Sequence, residues 1–350
     1  MAEIKNILVR GANWIGDAVM TIPALRELRR VFPSAEITLL TRGWARGIFA
    51  DADFLDEILT FEKSQSKIAE VFAQAKIIRE GKFDLAVLFP NSFESALAVR
   101  LGKVEHRFGY ARDGRGFLLT GAVEIPVWKN ERHEAFYYLN LIAEIERKFF
   151  GAKTILSNEL KSDLPVSETR KIEAGKFLET NGVDLSRKTI ALGVGSTNSR
   201  AKRWQAASYA ELNDKFQTEL NANVVLIGAE NEIEVSKEVY EKSKIKPVIL
   251  TGKTTLAMAT AILSVIELLV SNDMGLAHIA PATGTKTLVI FGPTNELTTK
   301  PVGAEIIRRT VECAPCMLRD CPIDHRCMTR ISAAAVYNRA TEILSTDEPG

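Results

Sequence analysis

The chain has 350 residues, of which 46% are hydrophobic and 25% charged, and its formal net charge is +1. This length predicts two domains, each long enough to bury its own hydrophobic core. The near-zero net charge argues against a protein that holds nucleic acid by neutralising phosphates, so we expect no nucleic-acid partner.

The first residues, MAEIKNILVR, contain no uninterrupted apolar run, which argues against a secretory signal. The longest apolar stretch, 256–270, includes Glu267 and is shorter than the ~20 residues that cross a bilayer. We therefore expect a soluble, cytoplasmic protein, with contact at a membrane surface left open.

Strand-like and helix-like segments alternate through the first 150 residues. Continuous apolar strands that alternate with helices predict a parallel sheet covered on both faces. Pro23 either kinks the first helix or marks a later helix start at Thr21. The strands are predicted at 6–10, 36–41, 57–61 and 83–90, and the later helices at 66–80, 92–101 and 131–149.

Polar residues at 151–169, among them Ser157 and Asn158, interrupt the pattern and predict a linker. The same alternation then restarts, so we predict two Rossmann-like domains, 1–160 and 161–350, that face each other across a cleft. Packing of the last helix back on the first domain is kept as an alternative. Strands are predicted at 188–195, 223–229, 246–250, 266–273 and 286–292.

The segment RGANWIGD follows the first predicted strand. Gly11 and Gly16 are spaced as in a P-loop, but Asp17 and Ala18 stand where that loop has Lys and Ser or Thr, which excludes it. Asp17 is either an N-cap or first-turn residue of the next helix, or a general base that accepts a hydroxyl proton.

TGKTT at 251–255 contains a second incomplete P-loop, because Pro247 stands where the motif requires glycine. The helix that begins near Thr254 still offers its N-terminal amides to a ligand.

Two further motifs lie at strand ends, where open α/β sheets bind ligands. GVGSTNSRAKRW concentrates hydroxyls, amides and cations, including Ser196, Thr197 and Lys202, which suits a diphosphate. The alternative for it is an ordinary polar loop. In SNDMGLAHIAPATG, Asp273 and His278 are candidates for a ribose-and-phosphate site. The alternative for His278 is a structural contact.

All four cysteines lie between Cys313 and Cys327. These four residues, which include Cys316 and Cys321, form either a structural metal site, remote from the chemistry, or a set of free or redox-active thiols. His325 is a further candidate ligand for such a metal. A cytosolic chain disfavours structural disulfides.

Four segments in chain order resemble the ADP-heptose:lipopolysaccharide heptosyltransferases, and AKRW and the Cys-x-x-Cys segment are most similar to the heptosyltransferase II branch. The resemblance covers nearly the whole chain. The segments are ILVRGANWIGDAVMTIPALRELRRVFP, GSTNSRAKRW, LTGKTTLAMATAILS and SNDMGLAHIAPATGTKTLVIFGPT.

The resemblance implies an α/β GT-B glycosyltransferase that transfers heptose with inversion and without a metal or other cofactor. Residues 1–160 then bind the acceptor and 161–350 bind ADP-heptose, and closure of the two domains aligns them. Asp17 is the implied base and Lys202 stabilises the leaving group. The implied donor contacts are Ser196, Thr197, Lys202, Glu232, Thr254, Asp273, Met274, Gly275 and His278.

The implied acceptor is the lipid A–core oligosaccharide, met at the cytoplasmic face of the inner membrane. Asn13 and Trp14 of the opening loop then face this acceptor. The basic stretch 100–115, with Arg107 and Arg112, is either a solvated face or an acceptor groove. The alternative functions are a glycosyltransferase with another nucleotide sugar or acceptor, a sugar-nucleotide epimerase, and a non-catalytic nucleotide-binding module.

Overall fold

The computed structural model describes residues 4–152, 154–155 and 160–345. The chain divides into two compact units, Met1–Ser162 and Asp163–Gly350, called here the first and the second unit. The division lies within the predicted linker, of which Ser157 and Asn158 are outside the described residues.

The first unit is built from strands and helices that alternate around one sheet. Its elements are β1 (Asn6–Arg10), α1 (Ile15–Met20), α2 (Ile22–Val31), β2 (Glu36–Arg42), α3 (Gly43–Arg46), β3 (Glu57–Phe61), α4 (Lys67–Gly81), β4 (Leu85–Leu88), α5 (Phe93–Leu101), β5 (His106–Tyr110), β6 (Gly121–Val123) and α6 (Glu134–Phe150). The six strands pair in parallel in the order β3-β2-β1-β4-β5-β6.

The second unit repeats this architecture. Its elements are α7 (Glu168–Thr180), β7 (Thr189–Gly193), α8 (Ala206–Glu219), β8 (Asn223–Leu226), α9 (Ile233–Lys242), β9 (Val248–Ile249), α10 (Leu256–Leu263), β10 (Leu268–Asn272), α11 (Gly275–Ala282), β11 (Lys286–Phe291), α12 (Glu296–Thr299), β12 (Glu305–Arg308), α13 (Arg326–Thr329) and α14 (Ala333–Ser345). Its six parallel strands run in the order β12-β11-β10-β7-β8-β9.

The predicted α/β class with parallel sheets is confirmed, although the sequence missed β5, β6 and β12. Strand β5 begins with His106 and Arg107, and its charged start resembled a solvated face. Strand β6 has only three residues, and β12 is flanked by charges and half-buried, so neither carries a long apolar run.

Pro23 marks a helix start rather than a kink. Helix α1 ends at Met20, Thr21 caps α2, and Pro23 lies in the first turn of α2. A proline costs no hydrogen bond there, because the first amides of a helix have no partner within it.

Each sheet has one point at which the strand order reverses: between β1 and β4, and between β7 and β10. Such a switch point leaves a crevice at the carboxyl ends of the two strands, because the following connections leave in opposite directions. The RGANWIGD segment follows β1, and Asp273 follows β10. The fold therefore brings the main sequence motifs to the two crevices.

The central strands are buried on both faces, as the apolar runs predict. Ile7 and Leu8 of β1 and Leu268 of β10 are fully buried. Helix α14 packs on α8, β10 and β11 of its own unit. Within the described ranges, no helix combines the length and the apolar character that a membrane crossing requires.

We predict that Ile7→Ala lowers the free energy of unfolding by about 2–5 kcal/mol, because it leaves a cavity at a fully buried position of the central strand β1. Ile68→Ala is the matched control: Ile68 is 70% exposed on α4, and its truncation should cost less than about 0.5 kcal/mol. Urea unfolding of both variants measures the difference. Equal destabilisation by the two changes would contradict the fold assignment of β1.

Candidate active site

A buried arginine holds the loop after β1. Arg10 donates from Nη1 to the Gly11 carbonyl at 2.5 Å, from Nη2 to Asn13 Oδ1 at 3.1 Å and from Nε to Gln74 at 3.0 Å. Its guanidinium also stacks on the Phe61 ring. Burial, with a smaller contribution from a neighbouring arginine, lowers the pKa of Arg10 to about 9. Arg10, to which no sequence motif assigned a role, therefore fixes the loop that leads to Asp17.

Asp17 lies in the first turn of α1 and is half-buried. Trp14 is the N-cap of that helix, so the N-cap interpretation of Asp17 is wrong and the first-turn placement is right. Asp17 also lies close enough to α6 to influence Tyr138: burial and then the Asp17 charge raise the pKa of that phenol. The carboxylate thus lies at the β1 crevice, where its charge acts on a buried phenol.

The predicted acceptor residues separate into two groups. Asn13 and Trp14 are exposed, Trp14 at 59%, on the loop that precedes α1. Arg112 is also exposed and lies 3.6 Å from the Asp113 carboxylate.

Arg107 does not belong with these exposed residues. Its guanidinium is buried and donates to the carbonyls of Leu118, Val104 and Glu105 at 2.6–3.1 Å. It is the second residue of β5, away from the carboxyl end of that strand. We therefore correct the acceptor interpretation of Arg107 to a structural one, since its donors are used within the first unit.

The second unit brings Lys202 and Asp273 together. Lys202 Nζ lies 2.7 Å from Asp273 Oδ2, and the Thr294 hydroxyl donates to the same oxygen at 2.7 Å. The Asp273 side chain is only 6% exposed, whereas that of Lys202 is 27% exposed. The ammonium is therefore held from one side and accessible from the other. Thr294 follows β11 and is not among the donor contacts that the resemblance implies.

Glu232 joins the loops after β7 and β8. Its carboxylate is buried, accepts the Ala229 N–H at 2.9 Å and accepts the Thr197 hydroxyl at 3.2 Å. A methyl group at Gly195 would lie only 2.1–2.6 Å from this carboxyl group, so the loop requires glycine there. Ser196, which precedes the exposed Thr197, is buried.

The remaining donor candidates lie at helix starts. Met274 is the N-cap of α11, and it packs on a small buried cluster that includes Val289 and Phe291. Gly275 begins α11, and His278 is buried on it. Thr254 is half-buried one residue before Thr255, which caps α10.

The segment that holds the cysteines contacts the Lys202 loop directly. The Ala201 N–H donates to the Arg319 carbonyl at 2.9 Å, and His325 Nε2 lies 2.5 Å from the Ala201 oxygen. The Ser199 hydroxyl donates to Leu318 and Arg319 carbonyls. The cysteine segment therefore packs on the residues next to Lys202.

The four cysteines are free thiols. Among the residues that the structure describes, no group of three or more His, Cys, Asp or Glu side chains is arranged to hold a metal ion. Cys327 is buried, and burial together with the neighbouring charges of Cys313, Cys321 and Cys316 raises the pKa of its thiol.

Each unit is thus a doubly wound, Rossmann-like α/β domain with polar side chains at its switch point. The family model described as "Glycosyltransferase family 9 (heptosyltransferase)" matches residues 71–326. The chain belongs to this family, and it is a glycosyltransferase of GT-B fold.

Two curated relatives match most of the chain. Lipooligosaccharide heptosyltransferase 2 of Campylobacter jejuni is 25% identical over 346 residues, which cover 97% of this chain and 98% of the relative. Lipopolysaccharide heptosyltransferase 2 of Salmonella typhimurium is 28% identical over 314 residues, which cover 86% and 87%. The solved structure of Escherichia coli ADP-heptose lps heptosyltransferase II aligns with a TM-score of 0.84 at 24% identity, covering 99% of this chain and all of the other. That structural likeness supports the fold.

We predict that Cys327 reacts more slowly with a maleimide than Cys313, by about tenfold or more, because the thiolate is the nucleophile and access limits its attack. Cys313 is exposed in the same segment and serves as the internal control. Mass spectrometry of peptides after timed labelling measures both rates. Labelling of Cys327 at the rate of Cys313 would contradict the described packing of this segment.

Proposed function

We propose that this protein transfers heptose from ADP-heptose to the inner core of lipopolysaccharide. The observation that carries the proposal is the Lys202–Asp273 pair at the β7–β10 switch point, 2.7 Å apart. It occurs in a chain of the heptosyltransferase family whose matched relatives are named for heptose transfer to lipooligosaccharide or lipopolysaccharide.

The second unit supplies the donor site in this proposal. Lys202 keeps its exposed side toward the diphosphate while Asp273, whose carboxylate also accepts the Thr294 hydroxyl, holds it from behind. Ser196, Thr197 and the first amides of α11, next to Met274 and Gly275, surround the phosphates, with His278 one helical turn further on. Glu232 and Thr254 contact the nucleoside. Positive charge and amides fixed at this point stabilise the ADP anion as it leaves.

Asp17 is the proposed general base. An acceptor hydroxyl oxygen attacks the anomeric carbon of the heptose, its proton passes to the Asp17 carboxylate, and the bond from that carbon to the ADP oxygen breaks. The electron pair of this bond leaves with ADP, so attack from the opposite face inverts the anomeric centre. Lys202 supplies the charge compensation, and the scheme uses no metal ion or other cofactor.

The first unit supplies the acceptor site. Asn13 and Trp14 are exposed on the loop that carries Asp17, and Arg112 adds an exposed cation for an anionic core saccharide. The acceptor carries lipid A, so we propose that the cytoplasmic protein meets it by peripheral contact with the inner membrane surface. Flotation with acceptor-containing vesicles tests this contact.

Two alternatives make different predictions. A related transferase would use another nucleotide sugar or another acceptor with the same site residues. A sugar-nucleotide epimerase would convert the donor without any acceptor, and membership of the glycosyltransferase family disfavours it.

We predict that wild-type protein transfers heptose from ADP-heptose to a heptose-deficient core acceptor and that Asp17→Asn lowers kcat by about 10²–10⁴-fold. The amide keeps the size of the carboxylate but accepts no proton. ADP affinity, measured by calorimetry, should stay within about twofold, because the donor site lies in the second unit.

Glu94→Gln is the matched control for Asp17→Asn. Glu94 is also a first-turn carboxylate after a strand of the first unit, and it pairs with Lys67 at 3.2 Å. This variant should keep wild-type transfer. Transfer by Asp17→Asn at the wild-type rate would exclude Asp17 as the base, and absence of transfer by wild type would exclude the donor–acceptor pair.

We predict that Gly195→Ala weakens ADP binding about tenfold, because the added methyl group displaces the Glu232 carboxylate. Gly175→Ala is the control. Its methyl group would lie in α7 with only Leu185 nearby, at 3.7 Å, so it should leave ADP affinity unchanged and stabilise the helix by about 0.5–1 kcal/mol. Unchanged ADP affinity in Gly195→Ala would place the nucleotide elsewhere.

A further inference from the structure

Asn272 is the last residue of β10, and its side chain is fully buried between the ends of β7 and β10. Its Nδ2 donates to the Val194 carbonyl at 2.9 Å and to the Gly195 carbonyl at 3.0 Å. Its Oδ1 accepts the Trp204 N–H at 2.9 Å and the Tyr209 hydroxyl at 3.1 Å. One side chain therefore uses both of its hydrogens and accepts two more.

The orientation of this amide follows from its partners. A backbone N–H only donates and a backbone carbonyl only accepts, so the Trp204 and Val194 contacts fix which end is oxygen and which is nitrogen. Burial raises the pKa of Tyr209, whose hydroxyl stays protonated and is shared between Asn272 Oδ1 and the Gly193 carbonyl.

The groups that Asn272 joins belong to different parts of the proposed donor site. Val194 and Gly195 directly precede Ser196 and Thr197, and Trp204 follows Lys202 by two residues. Asp273, which pairs with Lys202, is the next residue after Asn272 itself. The hydroxyl loop, the lysine turn and the aspartate are therefore all tied to one buried amide.

We propose that Asn272 is a positioning residue for the nucleotide diphosphate. It sets the distance between the Ser196–Thr197 loop and Lys202, so that both reach the same phosphates. It makes no contact with the donor and acts through Lys202 and this loop. The inference rests on the proposed function, since it assigns the framework of the same donor site.

Few other side chains meet these requirements. An aspartate of equal size has no hydrogen for the two carbonyls and places a charge against them. A leucine fills the volume but leaves two carbonyls and the Trp204 N–H without a partner. The site therefore requires a group that donates twice and accepts at the same position, which asparagine supplies.

The test compares Asn272→Asp with Asn213→Asp in the full-length protein. Asn213 is also fully buried in the second unit and donates from Nδ2 to the Ile245 carbonyl at 2.7 Å, outside the donor loops. We expect Asn272→Asp to weaken ADP binding and lower kcat by about tenfold or more, with the KM for the acceptor within about twofold. Asn213→Asp should lower the unfolding midpoint while ADP affinity remains unchanged.

A second variant covers the case in which Asn272→Asp does not fold. Tyr209→Phe removes one hydroxyl from the network and keeps the ring that packs edge-to-face on Trp204 at 4.8 Å. It should weaken ADP binding by about two- to fivefold.

Coupling to Lys202 separates positioning from a general loss of structure. In a Lys202→Ala background, Asn272→Asp should reduce the binding free energy of ADP by less than half as much as it does in the wild-type background, because the lysine that Asn272 positions is absent. Tyr209→Phe takes its place if Asn272→Asp does not fold. Equal losses of ADP affinity in the presence and absence of Lys202 would overturn the inference, and so would unchanged ADP affinity in the single variants. ADP binding does not depend on heptose transfer, so failure of the proposed function alone would appear as intact coupling without transfer.

Discussion

Parallel strand pairing is the constraint on which both units depend, because it brings the carboxyl end of every strand to one edge of its sheet. The strand order then reverses once in each sheet and opens one crevice per unit. Residues that are far apart in sequence, such as Lys202 and Asp273 or Thr197 and Glu232, therefore meet at this edge. The same rule places Asp17 at the crevice of the first unit.

Burial gives these polar groups their positions. Removing a carboxylate from water costs free energy, and an ion pair with hydrogen bonds offsets this cost without adding much stability. The pair between Lys202 and the nearly buried Asp273 is therefore best explained by the geometry that it imposes on the ammonium. In the first unit, the buried Arg10 has the corresponding structural role, because its three hydrogen bonds fix the loop before Asp17.

The sequence was sufficient for the alternating fold, most strands and the motifs at their ends, because apolar runs and glycine loops are local signals. It was insufficient where a polar or charged side chain is buried by partners that its own segment does not reveal. Arg107 reads as a surface cation, yet carbonyls on both sides of β5 enclose its guanidinium. Asn272 could not be selected because its partners are distant: nothing near it in sequence indicates that Val194 and Trp204 contact its side chain. The contact of the cysteine segment with Ala201 likewise spans more than a hundred residues.

The central claim is that the second unit holds the nucleotide diphosphate and that the RGANWIGD loop does not. A crystal structure of the protein with ADP tests it most directly. The account predicts a phosphate oxygen within about 3 Å of Lys202 Nζ and phosphates at the Ser196–Thr197 loop. Phosphates bound instead by the glycines before Asp17, with Lys202 still paired only to Asp273, would contradict it.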